Sequence, residues 1–239
     1  MQRVLRMALV VVAVVVVALA GYIVVHHSTV PDAGQIVGVT AQPSEPAPPS
    51  STSVAPDPVI AFLGDDWTLG VGASSPAKRF TTLLSSQLHL VERNFGADGS
   101  GYAKSGPTAG DYASRITALV QSRPAIIVVS GGRNDRDDYT PTLDAQIGQL
   151  FTQLHAALPH AVLVGVAPMW GDSDLPPELA ALDPVIQAAV TKAGGVYLGI
   201  ADPIHGHPEE MADAADPNDQ GYAAIAAALE PLLAPLIQR

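Results

Sequence analysis

Ala125-Ile126-Ile127-Val128-Val129, running straight into Ser130-Gly131-Gly132-Arg133-Asn134-Asp135, is the strongest strand signal in the chain. An apolar run that is mostly β-branched, stopped by glycines, reads as a strand buried on both faces. Four comparable runs flank it. Val59-Ile60-Ala61-Phe62-Leu63 ends at Gly64, and Leu90 to Arg93 is a weaker strand. Ala161 to Val166 and Val196 to Ile200 complete the set. Helical spacing fills the gaps at Arg79–Leu88, Tyr112–Gln121, Thr142–Ala157 and Leu179–Ala193. A last helix spans Asp219–Gln238, where Pro231 and Pro235 are expected to bend it. Strands alternating with helices predict an α/β domain: a three-layer αβα sandwich with a five-stranded parallel sheet, flavodoxin-like.

The chain before this domain has a different character. Met7 to Val25 carries no charged or strongly polar side chain, and Arg3 and Arg6 precede it. That length suits a bilayer-spanning helix, and the arginines put the N-terminus in the cytoplasm. Residues 1–27 are therefore expected to be a signal-anchor or transmembrane segment. Ala18-Leu19-Ala20 looks like a signal-peptidase site, so cleavage after Ala20 and secretion is the alternative. Residues 28–58 hold Pro31, Pro43, Pro46, Pro48, Pro49, Pro56 and Pro58 among Ser and Thr, the composition of a disordered linker. The domain is expected over 59–239, extracytoplasmic and tethered to the cell membrane.

Composition excludes several function classes. The net charge of −11 argues against a nucleic-acid partner, which would need a basic face. The absence of Cys removes thiol nucleophiles, Cys-ligated zinc, disulfides and lipidated Cys.

In a parallel sheet the ligand sits beyond the carboxyl ends of the strands. Those ends carry Gly64-Asp65-Asp66-Trp67, Asn94-Phe95-Gly96-Ala97-Asp98-Gly99, Gly132-Arg133-Asn134-Asp135 and Pro168-Met169-Trp170. After the fifth strand, across a loop, comes Asp213-Ala214-Ala215-Asp216-Pro217, followed by Gly221-Tyr222 at the start of the last helix. In order and position these blocks resemble the SGNH (GDSL-type) hydrolase superfamily. That family carries GDS, a Gly in a second block, GxND, and DxxHP before a final-helix Gly.

The resemblance implies the SGNH hydrolase fold, with the Gly99 N–H and the Asn134 side-chain amide as oxyanion donors. It departs at two positions. The family's nucleophilic Ser falls on Asp66 and its His base on Asp216. A Ser-His mechanism is then unavailable at these positions. Two carboxyls, one ionised and one protonated, suit glycoside hydrolysis, with Asp213 close enough to tune Asp216. Asp66, Asp216 and Asp213 are the expected catalytic residues. Trp67 and Trp170, the two tryptophans, are expected at the carboxyl edge as sugar platforms or as loop packing. No cofactor and no metal is expected, and the substrate is expected to be an envelope polysaccharide or glycoconjugate.

Three alternatives stay open. One is a non-catalytic pseudoenzyme that binds a glycan or a protein. Another is a hard-cation site made by Asp66, Asp213, Asp216 and the Asn134 carbonyl. The last is a carbohydrate esterase with a relocated Ser and His, drawing on Ser100 or Ser130 and on His205 in Asp202-Pro203-Ile204-His205. Asp65, Asp135 and Asp202 read better as bracing or capping acids. Arg133 and Arg136 could meet an anionic substrate, but Asp137 and Asp138 make a local salt bridge the simpler role.

Overall fold

The computed structural model describes residues 57–138 and 140–237. The expected membrane segment and nearly all of the linker lie outside the described residues. Five strands form one parallel sheet: β1 (Val59–Gly64), β2 (Val91–Gly96), β3 (Ile126–Val129), β4 (Val162–Val166) and β5 (Val196–Leu198). Their order across the sheet is β2-β1-β3-β4-β5. The helices are α1 (Asp66–Leu69), α2 (Phe80–Gln87), α3 (Ile116–Gln121), α4 (Pro141–Ala157), α5 (Pro177–Lys192) and α6 (Asp219–Ile237).

The alternation of side chains along each strand splits the apolar residues into two cores. Ile60, Phe62, Val128 and Val164 face α2 and α6, packing on Phe80, Leu84, Tyr222, Ile225, Leu229 and Leu233. Phe80 and Tyr222 stack at 6.3 Å and join the two helices. Ala61, Leu63, Ile127, Val129 and Leu163 point the other way, onto the Leu119, Ile147, Phe151, Leu182 and Ile186 of α3, α4 and α5. This is the three-layer sandwich the alternating pattern predicts.

Some boundaries differ. β2 runs on to Gly96 because Asn94, Phe95 and Gly96 pair in register with Phe62, Leu63 and Gly64. Its polar edge residues hide that extension from a hydrophobicity reading. The predicted Tyr112–Gln121 helix opens as a 3-10 turn at Ala113–Arg115 before α3. The four-residue α1 was not anticipated, being too short to show periodicity. Pro141 and Pro177 begin α4 and α5, where the missing N–H costs no hydrogen bond. Pro231 and Pro235 lie inside α6, which continues through both. Among the described residues α6 is the one helix long and apolar enough to cross a membrane, yet its Ile225, Leu229 and Leu233 are buried in the domain core.

The chain crosses from β2 over β1 to reach β3, so strand order reverses between β1 and β3. The crevice at that switch point is where the residues following β1 and β3 converge.

Candidate active site

Asp65 and Asp66 follow β1 directly. Asp65 is buried and caps α1, its Oδ1 accepting the Trp67 N–H at 3.1 Å. Burial pushes its carboxyl up to about 7, opposed by the charge of Arg133. The bracing role expected for Asp65 is the role it has. The cap turns Asp66, the first residue of α1, toward the crevice.

Asp66 is half-buried and its carboxylate is met on both oxygens. The Gly99 N–H donates to Oδ1 at 2.7 Å, and Asn134 Nδ2 donates to Oδ2 at 2.8 Å. Gly99 has φ 65, a left-handed conformation that a side chain would disfavour, and this aims its N–H at Asp66. Asn134 is fixed in turn by a second bond to the Ser100 carbonyl at 2.9 Å. The loop that presents these groups is braced by Asp135, which is buried and accepts the N–H groups of Tyr102, Ala103 and Lys104. Gly99 and Asn134 thus stand together as the sequence places them, but they hold Asp66 itself.

A third group touches Asp66. The exposed Asp98 side chain hydrogen-bonds to it. Burial works to raise the Asp66 carboxyl, but hydrogen bonds from Asp98, Asn134 and Gly99 outweigh it and hold the group below the usual carboxylate range. The same bond raises Asp98, with burial and the Asp66 charge adding to it. The contact therefore pushes the two carboxyls apart in titration, Asp66 down and Asp98 up. Sequence reading passed over Asp98; its one signal was an acid placed immediately before the oxyanion glycine.

Asp216 is half-buried, and its carboxyl is raised chiefly by burial. Arg133 opposes that rise, while Asp213, Asp66 and Asp98 add to it. Asp213 is exposed and turned into its own loop, where Oδ1 accepts the N–H groups of Ala215 at 2.8 Å and Asp216 at 2.9 Å. Those bonds hold it low. Asp213 thus shapes the turn that carries Asp216, and its charge is a secondary influence on that carboxyl.

The tryptophans need correction. Trp67 is buried, so it offers no face to a sugar. Its Nε1 donates to the Ala215 carbonyl at 3.0 Å, and the Arg133 guanidinium covers its ring at 4.4 Å. Trp170 is half-buried, with Arg133 at 5.4 Å and Arg136 at 5.1 Å from its ring. Loop packing is the role of Trp67, and two cations cover Trp170. Arg136 makes the local salt bridge expected of it, to Asp137 at 2.9 Å.

The relocated Ser-His arrangement is not assembled. Ser100 and Ser130 are buried, Ser100 donating to the Ala97 carbonyl at 2.7 Å and Ser130 sharing a bond with Thr68 at 2.9 Å. His205 is exposed and pairs with the Ser173 carbonyl at 3.1 Å. Asp202 caps its loop, accepting from the N–H groups of Trp170, Gly171 and Ile204. Among the described residues no group of three His, Asp or Glu side chains is gathered closely enough to hold a metal ion.

Comparison with known proteins agrees with this architecture. Residues 62–224 match the model of the GDSL-like lipase/acylhydrolase family. A GDSL lipase of Mycobacterium tuberculosis is 29% identical over 189 residues, covering 73% of this chain and 80% of that protein. Among solved structures, a family two carbohydrate esterase from Cellvibrio japonicus superposes with a TM-score of 0.61 at 19% identity, covering 77% of this chain and 63% of that one. A family two carbohydrate esterase from Clostridium thermocellum, in complex with cellohexaose, gives 0.61 at 15% identity, covering 77% and 67%. The psychrotrophic esterase EstA from Pseudoalteromonas sp., inhibited by monoethylphosphonate, gives 0.62 at 16%, covering 77% and 100%. At these identities the structural matches establish the fold alone.

Proposed function

The chain belongs to the GDSL-like lipase/acylhydrolase family, and from that membership we propose an acyl-ester hydrolase of cell-envelope carbohydrate that uses carboxyls in place of serine and histidine. The observation that carries the proposal is the Asp66–Asp98 pair, with Asp66 seated in the donor cradle of Gly99 and Asn134 and the two titrations pushed apart, Asp66 down and Asp98 up, so that in this reading Asp98 carries the proton. Such a pair can activate water directly against a carbonyl, as paired aspartates do in the aspartic proteases.

The reaction balances without an acyl-enzyme. Water attacks the ester carbonyl carbon and gives a proton to Asp66. Asp98 gives its proton to the carbonyl oxygen, which takes over the task of the donors that Asp66 occupies. The carbon–alkoxide bond then breaks, the leaving oxygen takes a proton from Asp216, and the new acid's hydroxyl proton returns to Asp98. Asp66 passes its extra proton to Asp216 through solvent, and one water has been consumed.

This replaces the glycosidic cleavage anticipated for Asp66 and Asp216, which finds no support in the esterase relatives. The expected division between an ionised Asp66 and a protonatable Asp216 is kept. The localisation remains part of the proposal: residues 7–25 anchor the chain and the 59–239 domain faces outward.

A second reading is favoured by one observation. Both donors that would stabilise a substrate oxyanion are already used by Asp66, as in a site that binds without cleaving. The test is acid release from acylated envelope polysaccharide by the full chain in detergent, run as a single turnover in heavy-oxygen water. Label in the released acid is the expected result. Label in the Asp66 carboxyl instead marks a nucleophilic carboxylate. Retention of the glycan with no acid released establishes the binding reading.

A further inference from the structure

The turn bearing Asp216 is closed by the Ala212 N–H donating to the Asp216 carbonyl at 2.8 Å and by an antiparallel bridge between Met211 and Pro217. Residues 212–215 are exposed, so apolar packing supplies few of its contacts. Further polar bonds converge on Ala215 and Asp216. Arg133 Nη2 donates to the Ala215 carbonyl at 2.8 Å, and Trp67 Nε1 donates to the same oxygen at 3.0 Å. From the other side, Asp213 accepts the N–H groups of Ala215 and Asp216.

Arg133 is built into this position. Its guanidinium lies 4.4 Å from the Trp67 ring and 5.4 Å from the Trp170 ring, and its Nε is buried with no hydrogen-bond partner. A planar cation can contact two aromatic rings and still fork one N–H to a carbonyl; an ammonium cannot do all three. This gives both tryptophans at the carboxyl edge a role in seating Arg133. The charged groups that face Asp216 are Arg133, Asp213, Asp66 and Asp98. Arg133 is the cation of that set, and its charge also reaches Asp65 and Asp213.

We propose that Arg133, seated against the Trp67 and Trp170 rings, is a positioning residue that clamps the Asp213–Pro217 turn through the Ala215 carbonyl and supplies the positive charge facing Asp216. The role extends the reading of Asp216 as the acid for the leaving alcohol, and its test is independent of turnover. Without the guanidinium, three carboxyls would face Asp216 unopposed. Its proton would be held to higher pH, and the turn would lose one of the two donors on Ala215.

The experiment compares Arg133→Gln and Arg133→Lys in the full chain. Carbon NMR of labelled aspartate follows the Asp216 titration, and intrinsic fluorescence reports on the two tryptophans of the chain, Trp67 and Trp170. In Arg133→Gln the Asp216 titration should move up by about one unit, with a change in tryptophan emission. In Arg133→Lys the titration should stay near wild type, because the charge is kept, while the emission still changes because the clamp is lost. An unshifted Asp216 in a folded Arg133→Gln variant overturns the electrostatic role. Unchanged emission in both variants overturns the clamp. Should the glutamine variant not fold, an Asp216 shift of about one unit in the lysine variant, despite the retained charge, also overturns the proposal. None of these readouts needs hydrolysis, so loss of the esterase reading leaves the inference testable.

Discussion

The Asn134 side-chain amide donates to Asp66 Oδ2 at 2.8 Å, so a carboxylate of the protein itself occupies a donor that a bound acyl group would otherwise use. The Gly99 N–H is committed in the same way to Oδ1. A serine at this position would leave both donors free; an aspartate fills the cradle with its own negative charge.

Asp66→Asn should lower acyl release by at least ~10²-fold, the scale on which a positioned general base acts. Circular dichroism should stay close to wild type because the amide keeps the shape of the carboxylate, while the melting temperature should fall modestly because its NH2 meets one of the two N–H donors, Gly99 or Asn134. Undiminished release would remove Asp66 from the mechanism.

The rate should be bell-shaped in pH with an acidic optimum. Activity needs Asp66 ionised, and hydrogen bonds hold that group low. It needs Asp98 and Asp216 protonated, and both are raised. The rate therefore falls as pH drops through the lowered value and as pH climbs through the raised ones. These limbs belong to the coupled groups together. Asp98→Asn should cost about 10²-fold at the optimum. A flat profile across the acid range would contradict the assignment.

Replacing both departures at once should restore serine chemistry. In the Asp66→Ser, Asp216→His double variant, the Gly99 and Asn134 donors are freed and the family's nucleophile and base are reinstated. Labelling by a fluorophosphonate is expected in the double variant and not in the wild type, with the adduct mapped to position 66. Wild-type labelling at Ser100 or Ser130 would revive the relocated pair.

Asp65→Asn should stabilise the domain at and above neutral pH. Folded Asp65 keeps its proton to about 7 while the unfolded chain releases it near 3.8. Between those values the folded state binds more protons, so stability falls as pH rises through that window and stays reduced above it. The loss is on the order of a few kcal/mol. In Asp65→Asn that decline should vanish, giving a melting point above wild type at about pH 8 and near it at about pH 4. Parallel melting curves for the two proteins across this range would show that Asp65 does not titrate as assigned.

A reporter fused after residue 58 should be active only outside the cytoplasm, because Arg3 and Arg6 precede the apolar run of residues 7–25. Cytoplasmic reporter activity would reverse the proposed topology.

The fold was legible in the order of the residues because its signal is local and repeated. Val59–Leu63 and Ala125–Val129 alternate their side chains between two faces, and a sheet covered on both sides follows wherever such runs alternate with helices. The motif blocks could likewise be assigned to strand ends, which placed Asp66, Gly99, Asn134 and Asp216 at one edge. The direction of a side chain, and what fills the space beside it, depend on segments far apart in the chain. Trp67 read as a possible sugar platform until the Ala215 carbonyl, 148 residues away, and Arg133 were found against it. Asp98 was one acid among many until its hydrogen bond to Asp66 pushed the two titrations apart. Local periodicity fixes backbone class and burial pattern, because these follow from neighbours along the chain. Protonation and occupancy at a site follow from burial and through-space charge, and those exist only once β1, β3 and the turn before α6 have been brought together.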